Sequence, residues 1–352
     1  MPNSGRVRRL GVSAPSRFAE RVRELLKKGG YLEYSLQVLK REDRVVFPLK
    51  LDANFSLEII PPELGAVVVE EEFHERPLAP RSIREALSGV VSPIYLKKLP
   101  SSYDIVGDIA VVHIPKGLET IMRLIGDAIM LVNPSVKVVL AEAGPVSGVY
   151  RTRGLRHLAG ERRTMTTHRE NGCIFVVDLE RVYFSPRLAG ERMRIAKLTG
   201  SDEVVADMFA GVGPFSITIA KHAGARVFAS EINADAYNLL LRNIEINKVA
   251  DRVTPFHEDC RTVFTGNQIK VDRIVMNYPS DPFSFLNTAL EILKIGGTIH
   301  LYGFAEDPED WRLKIQERVS NLGASCEARV KRLKPISPTR GLLVADIKVH
   351  AR

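Results

Sequence analysis

Cysteine is scarce: three in 352 residues, Cys173, Cys260 and Cys326, each isolated. None has the paired spacing of a zinc site, and three scattered thiols cannot build a disulfide framework, so reduced thiols and no metal are expected. Long apolar runs are missing too. No stretch reaches the ~18 residues needed to span a bilayer, and the N-terminal MPNSGRVRRLG lacks the apolar core of a signal peptide. A cytoplasmic protein without membrane contact is expected. No internal repeat or low-complexity tract occurs. What remains, 45% hydrophobic and 26% charged, suits two or three globular domains.

The most informative stretch also begins with an absence. In VVADMFAGVGPFSI, residues 204–217, an apolar run ends at Asp207, a turn carries Gly211 and Gly213, and Pro214 opens a segment of helical spacing. This reads as strand, tight loop and helix, with proline at the first helical position and free N–H groups at the helix start. Glycines in such a loop let the backbone approach a ligand. A dinucleotide fingerprint requires a third glycine three residues after the second, and Ser216 stands there. The G-x-x-x-x-G-K of a phosphate-binding loop is absent as well. Next, ARVFASE reads as a second buried strand closed by Glu231, placed to accept both hydroxyls of a ribose. A third strand, RVTPFHED, is expected to end at Asp259, and a fourth, VDRIVMNYP, leads into Asn277, Tyr278 and Pro279. Acids without a loop lysine suit a positively charged cofactor better than a nucleoside phosphate, and S-adenosylmethionine fits.

After residue 280 we expect a helix over 282–294, a turn at Gly296 and Gly297, a strand over 298–304, a helix over 311–322 and a terminal strand pair. The predicted fold class is α/β: a doubly wound sheet with a reversed edge strand, an architecture many methyltransferases share.

The formal charge of +8 and a pI near 9.4 point to a polyanionic partner. Residues 151–169 carry Arg151, Arg153, Arg156, Arg162, Arg163 and Arg169 with His157 and His168, against the single acid Glu161. Such a run can be a solvated face; its preference for arginine over lysine favours phosphate or guanine contacts, hence RNA or DNA. Upstream, residues 18–72 read as a small α+β module, and ERPLAPRSIREALSGVVSPIYLKKLPSSYD as a linker with a possible short helix near 82–87. Four parts are expected: a module over 1–75, a linker over 76–101, a middle α+β domain over 102–184, and a cofactor-binding domain over 185–352.

Together, VYRTRGLRHLAGE, HRENGC, VYFSPRLAGERMRIA, DMFAGVGPFSI and MNYP resemble the tRNA (guanine-37-N1)-methyltransferase family of archaeal and eukaryotic type, from about Tyr31 to the C-terminus. The resemblance implies a class I, Rossmann-like S-adenosylmethionine methyltransferase domain preceded by two smaller α+β domains, the first contacting the outer corner of tRNA. It implies an enzyme that methylates N1 of guanine 37, next to the anticodon, and a monomer is expected.

N1 of guanine carries a proton, and charge collects on O6 as that proton leaves, so a base is needed at N1 and a cation or donor at O6. The resemblance assigns these roles to Glu191 and Arg151. Read alone, Glu191 lies in the first turn of a helix, where an acid complements the helix dipole, and Arg151 is one phosphate contact among several. Asn277 matches the position that shapes the target-base pocket. Many members carry Asn-Leu-Pro, so Tyr278 departs from the pattern; it can stack on a base or pack beneath the sheet edge. Cofactor contacts are expected from Arg192, Asp207, Phe209, Gly211, Gly213, Glu231, Ile232, Asp259, Cys260 and Asn277, with Tyr183 and Phe184 against the adenosyl group. Substrate contacts are expected from Arg151, Arg153, Arg187, Tyr278 and Pro279. Three alternatives stand beside the main reading: a bifunctional enzyme also methylating carbon 7 of the wyosine intermediate 4-demethylwyosine, a wybutosine-pathway aminocarboxypropyl transferase, and a non-catalytic tRNA-binding protein.

Overall fold

The computed structural model describes residues 6–75, 80–144, 154–337 and 339–351. The chain forms two compact units, Met1–Pro80 and Arg81–Arg352. In the first, β1 (Arg6–Pro15) is followed by α1 (Ala19–Lys28), β2 (Leu39–Lys40), β3 (Arg44–Pro48) and β4 (Val67–His74). The sheet order is β2-β3-β1-β4, with β1 antiparallel to both neighbours. Helix α1 places Val22 and Leu26, one turn apart, in a core with Val12, Phe47 and Leu64. Glu20 in its first turn and Lys27 and Lys28 in its last complement the helix dipole.

The second unit opens with α2 (Ile83–Leu87) and α3 (Pro93–Lys98). The expected linker is thus partly helical, and Ile83, Leu87 and Leu99 are buried in a core. Ser82 caps α2 by accepting the Glu85 N–H at 3.1 Å. There follow β5 (Asp104–Val106), β6 (Ile109–Val112), α4 (Met122–Val132), β7 (Val138–Glu142) and β8 (Leu155–Gly160), in a sheet of order β5-β6-β7-β8. Side chains alternate along β6. Ala110 and Val112 pack on α4 through Ile125 and Ile129, while Ile109 and Val111 face the other way, into a core shared with the cofactor-binding half. That shared core is why residues 81–352 cluster as one unit.

Strands β9 (Met165–Glu170) and β10 (Cys173–Asp178) form a hairpin turned by Asn171 and Gly172. Both turn residues have positive φ, 48° and 71°, as a two-residue type I′ connection requires. The hairpin leads to α5 (Ala189–Leu198), β11 (Val204–Asp207), α6 (Pro214–Ala223), β12 (Arg226–Ser230), α7 (Ala234–Asn247) and β13 (Val253–Phe256). Asparagines on α7 complete the open edge of β10: Asn243 accepts the Val176 N–H at 2.7 Å and donates to its carbonyl at 3.1 Å, and Asn247 treats Ile174 likewise. An edge strand is thereby satisfied without a partner strand.

The remaining elements are α8 (Cys260–Gly266), β14 (Val271–Met276), α9 (Leu286–Ile292), β15 (Leu293–Ala305), α10 (Pro308–Asn321), β16 (Ser325–Pro335) and β17 (Gly341–Ala351). The large sheet runs β13-β12-β11-β14-β15-β17-β16. Its first five strands are parallel, and β17 is antiparallel to both β15 and β16. Here the expectation of a reversed edge strand is corrected: the reversed strand, β17, is inserted next to β15, and β16 forms the edge. The buried residues Leu342–Ala345 of β17, apolar on both faces, suit an interior strand. Helix α8 had no expected counterpart, and β13 ends at Phe256, so Asp259 caps α8 instead of closing the strand. The chain builds β12 and β13 on one side of β11, then returns to lay β14 on the other. Crevices outside the carboxyl ends of strands open at such a reversal. No helix among the described residues is long and apolar enough to cross a membrane.

Candidate functional site

Beyond the ends of β11, β12 and β14 lies a cavity. The loop after β11 turns through Gly211 and Gly213, with φ of 57° and 87°, and the two glycines serve different ends. A Cβ on Gly211 would meet only the Tyr183 carbonyl oxygen, at 3.9 Å, and Gly211 lines the cavity. A Cβ on Gly213 would come within 2.5 Å of Leu240 Cδ1 and 2.9 Å of Ile217 Cδ1. Gly213 therefore permits α6 to pack against α7 and, unlike Gly211, does not line the cavity.

Glu231 follows β12 directly and lines the cavity, partly buried. Its Oε2 accepts the Gly211 N–H and its Oε1 the Asn233 N–H, each at 2.7 Å. Burial raises its carboxyl above the usual range, against the pull of these hydrogen bonds. Each oxygen keeps acceptor capacity, as two vicinal hydroxyls require. Asp259 accepts the Arg261 N–H at 2.9 Å and its guanidinium at 2.9 and 2.7 Å. Those hydrogen bonds hold its carboxyl below the usual range.

Asp207 is placed differently. It is buried beside the loop and does not line the cavity; its Oδ2 accepts the Ser216 hydroxyl at 2.6 Å. Burial pushes its carboxyl up to about 6. Its Oδ1 is the only buried side-chain nitrogen or oxygen among the described residues without a hydrogen-bond partner.

Phe209, Ile232, Cys260, Tyr278 and Phe285 supply an apolar wall. Burial pushes the Cys260 thiol up to about 12, so it acts as an apolar group. Tyr278 stacks on Phe209 with ring centres 5.1 Å apart, and Phe285 meets both rings edge-on at 5.9 and 4.9 Å. Asn277 lines the cavity with Tyr278, whereas the buried Pro279 does not. Tyr183, Phe184, Ser185 and Arg192 form a third wall. Arg192 is 1% exposed. Its guanidinium grips Glu170 of β9 at 2.6 and 2.7 Å and the Ser185 carbonyl at 3.0 Å.

Glu191 and Arg187, like Asp207, Gly213 and Pro279, stand apart from this cavity. Glu191 is buried and does not line it, and the half-exposed Arg187 donates to Asp104 at 2.6 Å. Arg151 and Arg153 lie outside the described residues. Sequence reasoning missed Met208, Asn233, Arg261 and Phe285, all lining residues. Only Asn233 carried a signal, as a helix cap before an apolar run.

The wall suits S-adenosylmethionine. Glu231 offers a carboxylate for the ribose, Asp259 an acceptor for the base edge, and Ile232 and Cys260 apolar faces. A sulfonium is repelled by free cations, and both arginines of the lining are neutralised, Arg192 by Glu170 and Arg261 by Asp259. Among the described residues no three His, Cys, Asp or Glu side chains cluster to hold a metal ion.

Residues 166–331 match the family model of the TRM5/TYW2 methyltransferase domain, and residues 83–164 that of the TYW2 N-terminal domain. Over 345 residues the chain is 39% identical to the tRNA (guanine(37)-N(1))-methyltransferase Trm5b of Pyrococcus abyssi, spanning 97% of this chain and 99% of that one. The chain belongs to the TRM5/TYW2 methyltransferase family. Two solved members of the TRM5/TYW2 family are similar over 97% of this chain and all of theirs. The complex of aTrm5 and tRNALeu has a TM-score of 0.74 at 33% identity, and Methanocaldococcus jannaschii Trm5 in complex with adenosine has 0.65 at 32%. The two family models meet at the start of β9, so the β9–β10 hairpin falls to the methyltransferase-domain model, whereas the sequence suggests a middle domain running to residue 184.

Proposed function

We propose that this chain transfers the methyl group of S-adenosylmethionine to N1 of guanine 37 in tRNA, acting in the cytoplasm as a monomer. The observation that carries the reading is the cavity at the β11/β14 reversal, where Glu231, Asp259 and neutralised arginines suit a cationic adenosyl cofactor. Bound there, the cofactor supplies an electrophilic methyl group. Glu231 holds the ribose, with its remaining lone pairs fixed by Gly211 and Asn233. Asp259 receives the adenine edge. Asn277 and Tyr278 face the incoming base, and the aromatic cluster of Phe209, Tyr278 and Phe285 keeps that end of the cavity apolar and dry, which strengthens hydrogen bonds made inside it.

The target guanine leaves its stack to reach a recessed methyl group. Glu191 takes the N1 proton and Arg151 stabilises charge at O6. Arg153 and Arg187 contact the RNA backbone, for which Arg187 exchanges its Asp104 partner for phosphate. The unit Met1–Pro80 reads tRNA shape.

Mass spectrometry of tRNA incubated with the protein and S-adenosylmethionine tests this. One methyl on guanosine 37 is expected. An aminocarboxypropyl adduct or methylation of a tricyclic base would redirect the reading, and an unmodified tRNA bound all the same would point to a non-catalytic binder.

A further inference from the structure

Glu191, at the third position of α5, has its carboxylate enclosed from two elements. Arg194, one turn on, donates Nη2 to Oε1 at 2.7 Å and Nε to Oε2 at 2.8 Å. The Tyr302 hydroxyl, from β15, donates to Oε1 at 2.9 Å. Arg194 also reaches β17, donating Nη1 and Nη2 to Asp346 at 2.7 and 3.0 Å. Asp346 Oδ1 is 2.6 Å from Nδ1 of the buried His300, whose Nε2 lies 2.8 Å from Arg273 Nη1. Glu203 grips Arg273 at 2.6 and 2.9 Å.

The direction of each bond follows from chemistry. A guanidinium only donates, so His300 Nε2 accepts, its proton sits on Nδ1, and Nδ1 donates to Asp346. Burial lowers the His300 pKa, in keeping with this neutral tautomer. Burial pushes the Asp346 carboxyl up, but the hydrogen bonds from His300 and Arg194 outweigh it and hold it well below the usual range. At Glu191, Oε1 already accepts two hydrogen bonds and Oε2 one.

We propose that Asp346 and His300 are positioning residues for Glu191: acting through Arg194, they hold the carboxylate with Oε1 occupied and Oε2 left to accept the proton of guanine N1. This rests on the reading of Glu191 as the base. Without Asp346, Arg194 loses one of its two carboxylates and the buried Glu191 loses a fixed partner, whereas the lining of the cofactor cavity, to which Asp346 does not belong, is unchanged.

The test is single-turnover methylation of tRNA by the full chain, with dissociation constants for S-adenosylmethionine and tRNA measured beside it. Glu191→Gln alone should slow the step about 100-fold or more. Asp346→Asn should slow it about tenfold, with both dissociation constants within about twofold of wild type. Placed in the Glu191→Gln background, Asp346→Asn should have no further effect, which a merely structural role would not reproduce. His300→Leu should behave like Asp346→Asn, and His300→Asn, which keeps a donor for Asp346, should restore most of the rate. This pair decides the matter if Asp346→Asn does not fold. A wild-type rate for both Asp346→Asn and His300→Leu, or equal slowing by Asp346→Asn with and without Glu191, overturns the proposal. A wild-type rate for Glu191→Gln removes the base itself and the positioning role with it, a failure distinguishable from the first because Asp346 need not be mutated to see it.

Discussion

Substituting the two loop glycines separately should divide ligand binding from folding. Alanine at Gly213 suffers twice. Its φ of 87° belongs to the left-handed region, where a side chain costs roughly 1–2 kcal/mol. Its Cβ would also lie 2.5 Å from Leu240 Cδ1 and 2.9 Å from Ile217 Cδ1, both in the core between α6 and α7, where overpacking costs about 1–3 kcal/mol. The sum is a loss of about 2–5 kcal/mol of folding stability. Alanine at Gly211 incurs only the backbone cost, about 1–2 kcal/mol, because nothing of the protein stands within 3.9 Å of its Cβ; its methyl group projects into the space the cofactor would take. Urea unfolding can be followed by the fluorescence of Trp311, the single tryptophan, which is buried in the same unit. Calorimetric titration with S-adenosylmethionine supplies the other axis. Gly213→Ala should lose the more stability and, where still folded, retain affinity; Gly211→Ala should lose only the backbone cost of about 1–2 kcal/mol but bind the cofactor weakly. A Gly213→Ala protein within about 0.5 kcal/mol of wild type would refute the packing argument.

Further expectations concern the acids and the N-terminal unit. Glu231→Ala removes the ribose acceptor and the partner of two loop N–H groups, and should weaken cofactor binding by about 10–100-fold while tRNA binding survives; unchanged affinity by calorimetry would sink the assignment. The Asp207 carboxyl, at about 6, lies above its unfolded value of about 4. The folded state thus binds this proton more tightly, and its contribution to stability is full below about pH 4 and declines as pH rises through about 6, by on the order of 2–3 kcal/mol. Asp207→Asn should flatten that part of the stability profile between pH 4 and 7, and parallel wild-type and mutant curves would contradict it. Deleting residues 1–80 should leave cofactor affinity unaltered, since every cavity residue lies within 183–285, but should weaken discrimination against misfolded tRNA. An unchanged preference for folded tRNA would count against shape reading by that unit.

Much of the cofactor wall is legible in the chain itself. A strand, a glycine turn and a proline-started helix are local features, so Phe209, Gly211, Glu231 and Ile232 can be named from residues near one another in the chain. Asp259 lines the cavity for a reason other than the expected one: it caps a helix, and an apolar-polar run such as FHEDCRTVF does not reveal where β13 stops and α8 begins. The partner of Arg192 is hidden in the chain, because Glu170 sits on a hairpin 22 residues away and meets it only in the folded core. The place of β17 is illegible for a related cause. Two terminal strands read as a hairpin whichever of them joins the sheet, and only the fit of Leu342 to Ala345 between two layers decides it.

By itself, then, the sequence determined the order of strands and helices in the cofactor-binding half apart from α8, the turn chemistry of the cofactor loop and the acids that follow successive strands, because each depends on spacing within a few residues. Tertiary structure alone decided that Gly213 serves packing while Gly211 lines the cavity, and that Glu191 is tied through Arg194 to Asp346, 152 residues beyond Arg194. Those outcomes depend on which side chains meet when distant segments pack, and hydrogen bonds across α5, β15 and β17 exist only once the sheet has set its strand order.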